Sequence, residues 1–371
     1  MAQCATMVLP ARHVVGLDAM SRSGAAGGSG HAPHTFSGGR MASELTSRTG
    51  SGVRRSSGVS GRRVREIALG YALLAPASLL LLVFEFFPVA YGFYISTCDW
   101  RLSCTRQVGL GNYERALADG DVWHALGVTA TYSAMAVPIQ LSLSLLIAYL
   151  LFQNVKGKQA MRVLYFLPYI TSTVASAAVW AYLYSPDKGL INAVLKSIGL
   201  APIRWLQEPR GVLQVVGANM GIDVPSAIAG PSVALVALIV YTTWVFVGFD
   251  TTIFLAGLGN IPRELYDAAR VDGAEGWRLF RSITFPLLSP TTFFLVILTV
   301  IGTFKAFNHI FVMTQGGPGD ATTTASIFIF KQLFEYNRYG YSAALSFLLF
   351  FVILLLTVLQ NRFAGRRVVY D

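Results

Sequence analysis

The sequence predicts an all-α integral membrane protein with six transmembrane helices and both termini on the cytoplasmic side. Three observations carry that prediction: the scarcity of charge, the length of the apolar runs, and the placement of the basic residues. Hydrophobic residues make up 54% of the 371-residue chain and charged residues only 13%. A soluble domain is about a quarter charged. Charge is scarce because long apolar runs contain almost none of it, and Lys and Arg gather in short tracts beside those runs, which is a topology signal.

Residues 1–60 are rich in Gly, Ser, Arg and Ala without apolar periodicity. Such a segment cannot bury enough surface to offset the entropy of ordering, so a disordered basic tail is expected there. Its apolar stretch is short and interrupted, so no cleavable signal peptide is expected, and Met20 and Met41 offer alternative starts further in. A membrane domain is expected over 61–371. Within it six segments, near 67–96, 124–152, 161–184, 232–258, 285–311 and 342–360, reach the ~20 residues that a helix needs to cross ~30 Å of hydrocarbon. Backbone polar groups find no water in the bilayer core, so these spans should be helical. Pro76, Pro88, Pro138, Pro168 and Pro290 lie within them and are expected to kink them. No internal repeat is visible.

Orientation follows from the basic residues. Arg54, Arg55, Arg62, Arg63 and Arg65 precede the first span, and Lys156, Lys158 and Arg162 lie between the second and third. Arg263, Arg270, Arg278 and Arg281 lie between the fourth and fifth, and Arg362, Arg366 and Arg367 follow the sixth. These four regions are expected on the cytoplasmic side. The opposite loops, near 97–123, 185–231 and 312–341, are longer yet carry fewer basic residues per length, mixed with Asp and Glu.

Several function classes are disfavoured by what is missing. The net charge of +10 would suit nucleic acid only with a basic face or a recognised module, and the sequence has neither. ATP hydrolysis by this chain would need a Gly-x-x-x-x-Gly-Lys-Ser/Thr loop, but Gly157-Lys158 is followed by Gln159 and the Gly316–Gly319 run has no lysine. No metal-ligand spacing is found. His13, His31 and His34 lie in the tail, while His124 and His309 sit near span ends as satisfied or solvated imidazoles. A membrane enzyme would need a cluster of His, Asp or Glu near an interface, which is absent. Cys98 and Cys104 share one polar loop; a disulfide there requires an oxidising compartment, and two free thiols are the plainer reading.

The most informative segment runs from Asn260 to Pro286, between the fourth and fifth spans. Pro262 sits where a helix can begin, since its missing N–H costs nothing in the first turn. Glu264 and Asp267 put negative charge near the positive end of the helix dipole. Gly273 allows a turn, and a second short helix from about Glu275 to Ile283 leads into the fifth span. The physics predicts a helix–turn–helix at the cytoplasmic surface and is equally compatible with an ordinary solvated loop.

This segment resembles the cytoplasmic signature loop of permease subunits in binding-protein-dependent ABC importers: Glu-Ala-Ala, then Gly, then Ile-x-x-Pro. Asp267, Ala268, Ala269, Gly273, Ile283 and Pro286 occupy those positions, and Asp272 precedes the glycine as in the sugar-type branch. Asp267 stands where the usual residue is Glu. The resemblance extends over roughly 67–362 and includes Gly109-Leu-Gly-Asn-Tyr113, Phe166-Leu-Pro168, Gly189-Leu-Ile-Asn192, Trp205-Leu206 and Thr314-Gln-Gly-Gly-Pro318, as in maltose and glycerol-3-phosphate permeases. It implies a MetI-like fold and a subunit forming half the translocation pathway for a sugar or related polyol. It implies a coupling loop over 259–284, in which Glu264, Asp267, Ala268, Ala269, Asp272, Gly273 and Ile283 engage an ATPase and Pro286 begins the moving span. The implied partners are a second homologous permease, a cytoplasmic ATPase dimer that holds the ATP and Mg, and an extracytoplasmic solute-binding protein, in the inner membrane of a bacterium or archaeon. No cofactor is expected on this chain.

A sugar path needs hydrogen-bonding groups and aromatic faces within the spans. Gln140, Tyr241, Trp244, Phe304 and Asn308 are the candidates, against the alternative of lipid contacts and interhelical hydrogen bonds. Lys305 is a cation well inside an apolar run; counted from Phe285 it falls near the outer interface, where snorkelling is expected. In the outer loop, Pro186–Gly189 reads as a turn and Ile191–Ile198 as a short surface helix. The competing class is a secondary transporter or channel for a small polar solute. That class commonly carries buried acidic residues, and here the spans hold only Glu85 and Asp250.

Overall fold

The computed structural model describes residues 61–363 apart from 102, 154–156, 220, 226 and 227. The expected tail over 1–60, Lys156, Arg366 and Arg367 lie outside those residues. Residues up to Gly70 form one unit and Tyr71–Asp371 a second; the packing described below belongs to the second.

A helical run reaches Ser96, and Val64–Ser96 within it is long and apolar enough to cross a membrane. It comprises α1 (Gly61–Leu81), a π turn at Leu82–Phe86 and α2 (Phe87–Ser96). The π turn has a local cause. Pro88 has no N–H and its ring crowds the carbonyl four residues earlier, at Phe84; widening the turn there relieves the crowding. The same pairing recurs at Phe280–Thr284, just before Pro286. None of the most apolar stretch of the first run is buried. A hairpin of β1 (Cys98–Trp100) and β2 (Cys104–Gln107) follows, antiparallel and bulged between Asp99 and Trp100. Cys98 and Cys104 are joined across it as a disulfide, so the free-thiol reading is replaced.

After α3 (Gly111–Ala118) come α4 (Gly120–Phe152), α5 (Lys158–Ile170) and α6 (Thr173–Leu183). α4 runs unbroken through Pro138. α5 and α6 together are long and apolar enough for one span but bend by 96°. The kink expected from Pro168 in the third span is thus a full break, three to four residues further on. Pro168 removes one backbone donor near the end of α5, and Thr171 then turns extended, with ψ near 152°. α7 (Leu190–Ser197) and α8 (Val212–Asn219) lie in the loop before α9 (Val233–Gly259). The Pro186–Gly189 turn and a short helix after it are both present.

The second loop holds α10 (Arg263–Val271) and α11 (Gly276–Leu279), which continues through the π turn and α12 (Phe285–Leu287) into α13 (Ser289–Phe304). The run bends by 66° at Leu288, where Pro290 restarts the helix at its second position. The helix ends at Phe304, and α14 (Asn308–Met313) is separate, so the expected continuous span over 285–311 is also corrected. α15 (Ala325–Phe330) precedes α16 (Tyr339–Phe363).

Side-chain pairs fix the helix directions. The Tyr132 hydroxyl lies 2.6 Å from Thr242 Oγ1, and Gln140 Nε2 lies 2.6 Å from Asp250 Oδ2, both pairs 110 residues apart. α4 and α9 are therefore parallel. Ser133 meets Thr303 at 2.7 Å, while Leu141 and Leu258 share a buried cluster with Leu288 at the other end of α13, so α13 runs antiparallel to both. Val122 and Leu126 pack beside Tyr341 and Leu345, which makes α16 parallel to α4. The close approach of α5 to α9 needs a residue without a side chain: a Cβ on Gly248 would run into the Tyr165 carbonyl. Dispersion and these interhelical hydrogen bonds hold such a bundle, since lipid competes with apolar contacts.

Candidate functional site

Two arrangements stand out, a cavity at the junction of the long helices and a surface built by the second loop. The cavity has a volume of about 420 Å³ and draws its walls from α4, α5, α6, α9, α13 and α14. It forms because α4 and α9 face each other through a ladder of polar residues at helical spacing. Tyr132 and Thr242 form the first rung and Gln140 and Asp250 the second. Ser144 Oγ, which donates to the Val247 carbonyl at 3.2 Å, closes the ladder below the cavity. His309, on the short α14, brings Nε2 within 3.0 Å of the Tyr132 hydroxyl and 3.1 Å of Thr242 Oγ1. It is buried and satisfied, as expected. Tyr169, Phe246 and Phe249 supply the aromatic wall, with Tyr169 and Phe249 stacked at 4.7 Å.

Of the five candidates for the path, Gln140 and Asn308 line this cavity. Tyr241 does not; it is buried against Ser176, with its hydroxyl 2.7 Å from Ser176 Oγ. Trp244 packs against Trp180, and Phe304 faces Ala325 and Leu349. Lys305, exposed just after α13 stops at Phe304, also lines the cavity. Tyr132 and Thr242 escaped the sequence reading. Their signal was there: polar residues one helical face away from Gln140 and Asp250, eight positions earlier in each helix.

The second arrangement is the loop between α9 and α13. α10 begins after Pro262 and ends at Asp272, and Gly273 turns the chain with φ +78°, a conformation glycine adopts without penalty. Glu264, Asp267, Ala268 and Asp272 are exposed, Ala269 is buried, and Ile283 and Pro286 are half-buried. Arg270 Nη1 donates to Asp267 Oδ1 at 3.0 Å on the open face. The inner face is anchored by Tyr266, whose hydroxyl lies 3.3 Å from Thr284 Oγ1, and by the Phe280 ring against Tyr149 at 5.0 Å. Burial raises the Tyr266 hydroxyl above its ordinary range. Two large apolar side chains are left open nearby, Val271 at 88% and Trp277 at 72%. The sequence reading passed over both, although a β-branched apolar residue between Arg270 and Asp272 at a helix end is a visible anomaly.

The comparison with known proteins turns on the stretch that contains both arrangements. Residues 131–369 match the family described as the binding-protein-dependent transport system inner membrane component. The chain belongs to that family. This transport component is 33% identical over 298 residues to the trehalose/maltose transport system permease protein MalF of Thermococcus litoralis, covering 80% of this chain and 93% of that one. It is 32% identical to the sn-glycerol-3-phosphate transport system permease protein UgpA of Agrobacterium fabrum, covering 81% and 96%. The lactose transport system permease protein LacF of Rhizobium radiobacter is 30% identical, with 80% and 94% covered. The fold matches a chain of a bacterial alginate ABC transporter crystallised with an alginate pentasaccharide-bound periplasmic protein. That match has a TM-score of 0.69 at 21% identity, covering 83% of this permease and 98% of that chain. This permease is thus a multi-pass membrane protein of the MetI-like class.

Proposed function

We propose that this permease forms half of the translocation pathway of an ATP-driven importer for a sugar or related polyol, and that the loop over 259–284 couples it to a separate ATPase. The observation that carries this reading is the loop itself. Its inner face is locked to α4 and the fifth-span helix, while Val271, Trp277 and Glu264 stand open on the outer face. A joint anchored on one face with an exposed apolar surface on the other suits a partner that must transmit motion.

Six spans are supported by helix direction. Because α4 and α9 are parallel, the chain between them must cross back, which makes the bent pair α5–α6 one span. α2 and α16 are antiparallel, with Gly92 beside Phe347 and, at the other end, Gly340 against the Cys98 carbonyl just past α2, which supports a chain that enters and leaves the bundle on one side. The basic residues put that side in the cytoplasm, and the disulfide in the 97–123 loop fits the opposite, oxidising face. A second homologous permease would complete the path, two ATPase domains would carry ATP and Mg, and a solute-binding protein would deliver the cargo outside the inner membrane of a bacterium or archaeon. The names of the relatives, which specify trehalose/maltose, glycerol-3-phosphate and lactose, support the sugar or polyol assignment.

Gly273→Val tests the joint. A β-branched residue at φ +78° is strained, by about 1–2 kcal/mol or more, so α10 should lose its fixed angle. In complexes reconstituted with the partner permease, ATPase and binding protein, solute uptake and binding-protein-stimulated ATP hydrolysis should fall together at least tenfold while the complex still assembles. Solute transport by this chain alone, indifferent to the substitution, would instead point to a secondary transporter.

A further inference from the structure

Three arginines meet on the outer side of the bundle, against the distribution of basic residues that orients the chain. Arg101 of the hairpin, Arg115 of α3 and Arg338, just before α16, line one open cavity of about 560 Å³. Local contacts fix its floor. Asn112 Nδ2 donates to the Ser96 and Cys98 carbonyls at 2.9 and 3.0 Å, the disulfide closes the hairpin, and a Cβ on Gly340 would run into the Cys98 carbonyl. Two of the guanidinium groups are already placed. Arg115 lies 4.7 Å from the centre of the Tyr341 ring, and Arg338 Nη1 donates to Oε1 of the buried Gln332 at 3.3 Å. Among the described residues none of the three arginines is in an ion pair. Asp99 is the carboxylate that lines the cavity, and it stands opposite Arg106 in the hairpin register. Asp119, beyond the Tyr341 ring, accepts from that hydroxyl at 2.6 Å.

We propose that this cavity binds the phosphate of an anionic phospholipid in the outer leaflet, a reading that rests on the orientation drawn above for the six spans. α16 is 25 residues long and carries Arg362 in its last turn, and at 1.5 Å per residue it reaches about 37 Å. With Arg362 among the cytoplasmic headgroups, Tyr339 and the cavity stand at the opposite ones. Aromatic side chains mark the same level. Trp100 packs edge-on against Tyr91 and Tyr94 at 5.9 and 6.2 Å, and both tyrosines stay 44% exposed on a helical run whose most apolar stretch is unburied. The cations therefore adjoin an open apolar face that suits acyl chains. A guanidinium presents two parallel N–H groups that match two phosphate oxygens, and three of them converge here. A zwitterionic headgroup would bring its own ammonium beside these guanidinium groups, whereas an anionic one brings none, so the site selects by net charge.

The test uses the whole complex in a nonionic detergent, titrated by calorimetry with dihexanoyl phosphatidylglycerol, dihexanoyl phosphatidylcholine or inorganic phosphate. Phosphatidylglycerol should bind saturably and more tightly than the other two. Its affinity should fall about fivefold for each arginine replaced by Gln, the effect of a basic side chain at an anionic surface. The triple variant Arg101→Gln, Arg115→Gln, Arg338→Gln should lose roughly a hundredfold. Arg101→Gln with Arg115→Gln leaves the Arg338 bond to Gln332 in place and should lose about twenty-five-fold; size-exclusion chromatography reports that both variants assemble. Equal binding of the two lipids, or an affinity that the double variant does not change, overturns the inference. Inorganic phosphate binding as tightly as phosphatidylglycerol makes this a free-anion site and overturns it too. So does a double variant that weakens binding of the solute-binding protein while keeping its lipid affinity, since the arginines then serve that partner. Solute uptake and binding-protein-stimulated ATP hydrolysis by the unaltered complex report on the importer reading separately, which stands if lipid binding alone fails.

Discussion

Asn192 is buried in the outer loop, yet every part of its amide is used. Nδ2 donates to the Pro186 and Ile203 carbonyls at 3.2 and 2.9 Å, and Oδ1 accepts from the Ile203 amide and the Trp205 indole at 3.1 Å each. One side chain thus ties the turn at 186, the helix α7 and the segment before Trp205. Asn192→Leu keeps the volume and strands several buried groups, so a loss of about 2–4 kcal/mol is expected, since each unsatisfied buried group costs about 1–3 kcal/mol. It should appear as faster proteolysis between 185 and 211 and a lower melting temperature. Gly189–Asn192 and Trp205 were legible in the sequence as a pattern, but their mutual bonding was not, because thirteen residues of spacing say nothing about which carbonyls converge.

At the scale of elements, the long helices were readable because lipid imposes length and composition on them. The breaks were not. Pro76, Pro88, Pro138, Pro168 and Pro290 all invited a kink, but α4 absorbs Pro138 without interruption while the chain bends at 171–172 and at Leu288. Whether a freed carbonyl is tolerated depends on neighbours distant in sequence. The stretch from Thr314 to Thr323 shows another contact invisible in sequence. Thr323 Oγ1 donates to Asp320 Oδ1 at 2.9 Å, and Lys331 Nζ lies 3.4 Å from the same oxygen. The Thr323 hydroxyl, and Lys331 with it, hold the Asp320 carboxyl below its ordinary value. A carboxyl depressed on folding contributes fully above the unfolded value of about 4 and loses its contribution as pH falls through the folded one. Cleavage of this loop by an acid-active protease should therefore accelerate below about pH 4, and Asp320→Asn should show the faster rate already at neutral pH.

For the whole molecule, the reading of six crossings gives each loop a side. In a Cys4→Ser background, Ser197→Cys should react with a membrane-impermeant maleimide added outside the cell, whereas Ser282→Cys should react only after permeabilisation. The reverse pattern would invert the orientation drawn from the arginines. Both positions are exposed, so accessibility to the reagent is set by the bilayer and not by burial.

The two bent pairs have a further consequence. A straight helix closes its own hydrogen bonds and is indifferent to whether lipid or water lies beside it. A helix interrupted within the bilayer is not, because the groups freed at the interruption are stable only against protein or water. The bends at 171–172 and at Leu288, and the stop after Phe304 at the cavity, therefore mark where the main chain of this subunit must rest against protein or water and not against lipid. That requirement is written into the main chain, and substitutions that merely exchange one side chain for another should leave it in place.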